Sequence, residues 1–385
     1  MKKFLLVLIA VVLLLPMKFI NAEELNLATN AKSAILIEAS TGEIIFEKNS
    51  HERLVPASMT KMMSMLLIIE SIEKGIISWD EMVTVSENAS SMGGSQILLE
   101  TNEKMSVSDL FKGIAVASGN DAVVAMAEKI AGTEDAFVNM MNNRAKELGL
   151  KDTNFKNPHG LDTANHYSSA YDMAMIAKEL VKHEEVFKYT SIYEDYLRQN
   201  TDKEIWLVNT NKLVRFYDGV DGLKTGYTAG AGYCLTATAK KNGMRIIAVA
   251  MGEPDSKTRN AEITSMLDYA FAQYEIETVL STDSVLGKRK VEKGKDEYVT
   301  IVPTKNINLL YKKTDDRKNV TYDVKIDSLK APIKKGDIVG KVEIKDGNNI
   351  LNTIDVTVNN DVKKANVFEL YLRNLKNIFN GNIYR

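Results

Sequence analysis

The sequence predicts an α/β chain of the layered α+β kind. An antiparallel sheet with a helical lobe is followed by a small all-β domain and an amphipathic C-terminal helix. Three features point there. β-like runs at residues 33–38 and 44–47 return only at 233–238 and 244–251, with helical patterns between them. Past residue 275, short β runs separated by turns rich in Lys, Asp, Gly and Asn replace the helical patterns. The final stretch, 362–379, sets Phe368, Tyr371, Leu372, Leu375, Ile378 and Phe379 at i, i+3, i+4, i+7 spacing.

Taken in chain order, Met1 to Ala22 reads as an export signal. Lys2 and Lys3 precede the apolar run 4–15, Pro16 breaks it, and Ala22 offers a small residue at the cut. The run is short for a membrane span, although an uncleaved anchor is the alternative. Its removal leaves 46 basic and 51 acidic residues, net −5. Ser40-Thr41-Gly42 marks a hairpin turn between the first two strands. Residues 59–74 are apolar nearly all round, as in a helix buried in a core; Pro56 precedes them and Gly75 ends them. Residues 107–148 read as mostly helical, one helix opening at Asp109-Leu110 and another spanning 122–131; further helices are expected at 170–183 and 256–274. Lys241-Asn242-Gly243 reads as the turn between two late strands. The implied domains are 1–22, 23–275, 276–360 and 361–385. The β-rich unit contains no nucleophile–base arrangement, so support or spacing is its expected role. The terminal helix carries Lys363, Lys364, Arg373 and Lys376 against one acid, Glu369. Such a helix lies on a membrane surface or docks on its own domain.

Composition excludes several classes. The 385 residues carry 49 Lys+Arg and 51 Asp+Glu, net −2, which gives no basic field for nucleic acid. One cysteine, Cys234, rules out an internal disulfide framework and a cysteine-rich zinc site; lying in an apolar strand, it reads as structural. The four histidines form no HExxH pair, and no glycine-rich phosphate loop occurs. No metal and no cofactor is expected.

Three short motifs bear chemistry. In Ser58-Met59-Thr60-Lys61 the first and last residues share a helix face, so the hydroxyl and the amine can meet. A serine attacks a carbonyl only with a base beside it, and no histidine stands at a comparable local position. Lysine is ordinarily protonated, and holding one neutral near pH 7.5 costs about 4 kcal/mol. Burial and a second cation supply that push. The motif alone is weak, since Ser71-Ile72-Glu73-Lys74 matches it as well. Ser118-Gly119-Asn120 offers a proton-relaying hydroxyl and an amide able to donate and accept; Ser86-Glu87-Asn88 shares the pattern, and a helix cap is the plain alternative. Lys224-Thr225-Gly226 would present a cation and a hydroxyl on a sheet edge, with Gly leaving room for a substrate backbone; the alternative is a strand end before a turn.

The three motifs in this order, spaced by 60 and 106 residues, match the set of penicillin-interacting serine enzymes. The chain resembles the low-molecular-mass penicillin-binding proteins that are D-alanyl-D-alanine carboxypeptidases, over about residues 30–380. Leu54-Val55-Pro56-Ala57-Ser58, Asn157-Pro158-His159-Gly160-Leu161-Asp162, Ser169-Ala170-Tyr171-Asp172-Met173-Ala174, Asn211-Lys212-Leu213 and Asp221-Gly222-Leu223-Lys224 extend the similarity. The resemblance implies a penicillin-recognising, β-lactamase-like catalytic domain. Ser58 resembles the acylated nucleophile and Lys61 its base; Ser118 and Asn120 resemble the second active-site element. Lys224, Thr225 and Gly226 resemble the sheet-edge contact to substrate, and Arg259 the holder of the terminal carboxylate. The backbone N–H groups of Ser58 and Tyr227 would form the oxyanion hole, Tyr227 replacing a histidine found in some relatives. The implied partners are the D-Ala-D-Ala end of a peptidoglycan stem peptide, β-lactams as covalent inhibitors, and a membrane surface for the tail, outside the cytoplasm. A β-lactamase, or a penicillin-acylated wall scaffold or sensor without turnover, are the competing readings.

Overall fold

A computed structural model describes residues 25–315 and 320–379. The export segment expected at 1–22 lies outside the described residues.

Strands β1 (Ser33–Glu38), β2 (Ile44–Lys48), β3 (Val220–Thr228), β4 (Gly232–Lys241) and β5 (Met244–Glu253) form one antiparallel sheet in the order β2-β1-β5-β4-β3. Their sequences are almost continuously apolar because both faces are covered. Ile35, Ile37, Ile247 and Val249 pack into one core, while Ala34, Leu36, Ile246 and Ala248 pack into another on the opposite face. The β4–β5 turn is the expected Asn-Gly pair, with φ of 50° at Asn242 and 81° at Gly243, which a tight hairpin twist requires.

The larger core is the helical lobe. It contains α1 (Lys61–Glu73), α2 (Val107–Ala117), α3 (Asn120–Ala131), α4 (Glu134–Glu147) and α5 (Ala170–Leu180). Helix α1 is buried from Lys61 to Ser71, which explains its apolar surface all round. A 3-10 turn, Ala57–Thr60, leads into it. The other face of the sheet is covered by α6 (Ser256–Gln273), capped by Asp255, whose carboxylate accepts from Thr258 N at 2.8 Å. The helix expected at 170–183 stops at Leu180, short of its last turn. Two short ribbons, Met82–Thr84 with Lys104–Ser106 and Glu194–Leu197 with Ile205–Val208, lie in stretches for which the sequence predicts no element.

Helix α6 runs directly into β6 (Tyr274–Leu280), so the β-rich unit begins without a linker. It continues through β7 (Gly287–Lys290), β8 (Tyr298–Pro303), β9 (Ile307–Lys312), β10 (Val320–Ile326), β11 (Gly340–Asp346) and β12 (Asn349–Val358). β6 pairs with β9, and the rest form a sheet ordered β7-β8-β12-β11-β10 around a separate apolar core. The terminal helix α7 spans Val367–Phe379. The residues just before it are not helical, because Val362 bridges to Ile333 and Lys364 to Gly294. Arg373 donates to the carbonyls of Gly294 and Lys295, tethering one side of α7. Val367, Phe368, Tyr371, Leu372, Ile378 and Phe379 stay exposed. Among the described residues no helix is long and apolar enough to cross a membrane.

Candidate active site

The site forms where α1, the α2–α3 junction and the edge strand β3 meet. Ser58 stands in the 3-10 turn, one turn ahead of Lys61, the first residue of α1. Lys61 is completely buried, and its Nζ lies 3.0 Å from Ser58 Oγ, 2.6 Å from Asn120 Oδ1 and 2.7 Å from the His159 carbonyl. Burial and then the charge of Lys224 hold its amine well below the usual lysine range, while Asp121 pulls the other way. The geometry fits the neutral amine. Two N–H bonds go to Asn120 Oδ1 and His159 O, which can only accept, and the third contact is with the Ser58 hydroxyl, which can accept from the amine or, when the amine is neutral, donate to its lone pair. Asn120 is oriented by its Nδ2, which donates to Gly93 O at 2.7 Å.

The loop carrying His159 is wedged against the nucleophile. Gly160 has φ of 88°, and a Cβ there would fall 1.9 Å from Ala57 O. Asn157 Oδ1 accepts from Gly160 N at 2.6 Å, and His159 Nδ1 accepts from Leu161 N at 3.1 Å. Ala57 itself sits at φ 47°, an uncommon region for a residue with a side chain.

Ser118 ends α2 in the left-handed region, at φ 65°, and Asn120 opens α3. Its hydroxyl is buried and without a hydrogen-bond partner among the described residues, so its proton is available to a substrate. Ser86, by contrast, caps a short helix by accepting from Ala89 N, the plain role of its pattern. The second Ser-x-x-Lys also separates from the first. Ser71 Oγ donates back to Leu67 O, and Lys74 is exposed beside Glu70.

On β3, Lys224 is 1% exposed, donates to Thr225 O at 3.0 Å, and is lowered to about 7 by burial and the nearby Arg259 charge. Thr225 Oγ1 donates to Thr210 Oγ1 at 2.7 Å. Gly226 lets the strand touch the nucleophile turn: a Cβ there would lie 2.8 Å from Pro56 O and 3.3 Å from Ser58 N. Arg259, in the first turn of α6, is 5% exposed and forms no ion pair among the described residues. Burial pushes its guanidinium down from its ordinary value, yet an arginine keeps its charge.

Ser58, Ser118, Thr225, Gly226, Tyr227 and Arg259 all line one cleft of about 380 Å³. Lys61, Asn120 and Lys224 lie behind its wall and reach it through hydrogen bonds and charge. Sequence reasoning missed Thr210, Tyr233 and Asn260 in the wall. Tyr233 pairs with Tyr227 across β3–β4, rings 4.3 Å apart, a partner the hairpin register could have supplied. Thr210 is fixed by its neighbours: Asn209 Nδ2 donates to Thr190 O and Ile192 O, and Asn211 Nδ2 donates to Gly222 O. Asp121 was also missed. Its buried carboxylate accepts from Ile97 N and Leu99 N, pinning the loop whose Ser95 O receives Asn120 N.

A hydroxyl beside a buried amine base, a second free hydroxyl and an unpaired buried guanidinium, on a sheet covered by a helical lobe, define a penicillin-interacting serine acyl-transfer enzyme. The family profile described as D-alanyl-D-alanine carboxypeptidase matches residues 19–255, and that of the penicillin-binding protein 5 C-terminal domain matches residues 274–364. The D-alanyl-D-alanine carboxypeptidase DacF of Bacillus subtilis is 54% identical over 341 residues, 88% of either chain. The crystal structure of penicillin-binding protein 5 from Haemophilus influenzae superposes with a TM-score of 0.70 at 34% identity, covering 87% of this chain and 98% of that one. The ampicillin-bound form of penicillin-binding protein D2 from Listeria monocytogenes has a TM-score of 0.57 at 30% identity, covering 63% of this chain and 98% of that one. The chain belongs to the D-alanyl-D-alanine carboxypeptidase family.

Proposed function

We propose that this serine carboxypeptidase removes the terminal D-alanine of peptidoglycan stem pentapeptides through an acyl-enzyme on Ser58. The observation that carries this reading is the Lys61 amine, buried, with two obligate acceptors and Ser58 Oγ as its third neighbour. The peptide enters along β3 with its C-terminal carboxylate at Thr225 and Arg259. Ser58 gives its proton to Lys61 Nζ, and Oγ attacks the penultimate carbonyl. The backbone N–H groups of Ser58 and Tyr227, on segments that Gly226 allows to touch, receive the developing oxyanion. The C–N bond breaks as Ser118 passes a proton to the departing nitrogen, and its own proton is restored from Lys61. Water then hydrolyses the ester. A β-lactam follows the same first step, but its leaving nitrogen stays tethered, so the acyl-enzyme persists.

Release of free D-alanine from a muramyl pentapeptide tests the reading. The parent is expected to release it, while Ser58→Ala and Lys61→Ala lose release and labelling by a fluorescent penicillin. Penicillin labelling without D-alanine release would favour the wall-sensor reading, and rapid penicillin turnover without release would favour a β-lactamase. Against the latter, no carboxylate among the described residues lines the cleft to activate a deacylating water; Asp121 is committed to backbone amides.

The working location in this reading is the outer face of the cytoplasmic membrane. The apolar flank of α7 and the basic residues around it support peripheral attachment. Co-sedimentation with anionic vesicles, lost on deletion of 367–385, is the expected result; unchanged sedimentation would refute it.

A further inference from the structure

Arg259 is held in an unusual way for a buried cation. A guanidinium carries five N–H bonds. Nε and one Nη2 proton are both taken by a single neutral oxygen, Asn260 Oδ1, at 3.1 and 2.9 Å. One Nη1 proton points to Cys234 O at 3.5 Å. Among the described residues that leaves one N–H on each terminal nitrogen for a ligand, and a guanidinium with N–H groups to spare is a carboxylate binder. Asn260 lines the same cleft as Arg259. With its oxygen turned to the guanidinium, its Nδ2 adds donors to the wall rather than a competing acceptor.

Resting on the carboxypeptidase reading, we propose that Asn260 is a positioning residue that sets the cleft's selectivity for a free carboxylate terminus. It fixes one edge of Arg259 without neutralising it, so the whole charge and the second edge remain for the substrate. An aspartate in its place would hold the guanidinium equally well. It would also satisfy the cation and set a negative oxygen in the wall, where the substrate carboxylate must come. The polarity of this one amide therefore governs the preference for an exposed chain end over a blocked one, while the acylation machinery at Ser58 and Lys61 is untouched.

The test compares the parent, Asn260→Asp and Asn260→Ala in the full chain. Two substrates are used: a stem pentapeptide ending in D-Ala-D-Ala and the same peptide with a C-terminal amide. Release of D-alanine or D-alaninamide is followed with kcat and KM resolved, and thermal melts confirm folding. Asn260→Asp is expected to lower the acid-to-amide ratio of kcat/KM roughly tenfold, the cost of weakening a charge-assisted contact, with the change carried by KM of the acid substrate. Asn260→Ala, which frees the guanidinium but keeps its charge, is expected to lower the ratio less. A parent-like ratio in Asn260→Asp, or an equal fall in both variants carried by kcat on both substrates, would overturn the inference. A parent that releases no D-alanine overturns instead the reading on which it rests.

Discussion

Gly226→Ala probes how closely the edge strand and the nucleophile turn must approach. The added Cβ would sit 2.8 Å from Pro56 O, 3.1 Å from Ala57 Cβ and 3.3 Å from Ser58 N, where ordinary contact starts at 3.4 Å. The carbonyl would have to retreat by about 0.6 Å to reach that contact. The turn has little slack, because the Gly160 backbone also packs closely on it: a Cβ at Gly160 would fall 1.9 Å from Ala57 O. The strand therefore moves, and with it the Tyr227 N–H relative to Ser58. A misplacement of about 1 Å costs on the order of 100-fold in rate, so acylation is expected to slow by roughly 10-fold to 100-fold. Overpacking should also destabilise the fold by about 1–3 kcal/mol. The second-order rate of labelling by a fluorescent penicillin, measured beside a thermal melt, reads both. A variant that acylates within about twofold of the parent and melts at the same temperature would refute the close-approach argument.

Three further outcomes follow from the charges and the decoy motif. Lys224→Ala removes a cation that lowers Lys61, so the acid limb of the acylation pH profile should move to higher pH; an unmoved limb contradicts the coupling. Glu253 is buried against Glu262, which accepts from Asn30 and Ala31, and its carboxyl is pushed up to about 8 by burial and by that neighbour. The folded state thus holds its proton more tightly than the unfolded one, and stability from this group is lost as pH rises from the ordinary carboxyl range through about 8. Glu253→Gln should flatten the decline of Tm across that window, and a parallel decline would reject the assignment. Ser71→Ala, which removes a hydroxyl bonded to Leu67 O, should leave penicillin labelling unchanged; lost labelling in a folded variant would make the second Ser-x-x-Lys a working site.

The sequence exposed those parts whose cause is local. Asn242-Gly243 announces its turn because few other pairs adopt two positive φ angles, and α1 announces its burial because one face cannot hold so many apolar residues. Ser58 and Lys61 meet because helical spacing alone brings them together. β9 and β12 are not marked as strands by the sequence: β12 opens with the exposed Asn349 and carries Asn352, Thr353 and Asp355, which resembles loop, while nothing in its length separates β9 from β8. Thr210 enters the site only through its contact with Thr225, fifteen residues on, which no local pattern records; Tyr233 follows from the hairpin register once β3 and β4 are paired, and Asn260 from its place beside Arg259 once that arginine is known to face the cleft. Asp121 draws its role from the loop at 97–99, whose amides its carboxylate receives from more than twenty residues away in the chain.

The protonation state of one nitrogen decides whether Ser58 has a base. Heteronuclear NMR of the chain labelled with ¹⁵Nζ-lysine, with Lys61 assigned by its loss in Lys61→Met, reads that state directly at neutral pH. A neutral-amine signal for Lys61 is the expected result, and an ammonium signal persisting into the range of a free lysine would contradict the mechanism.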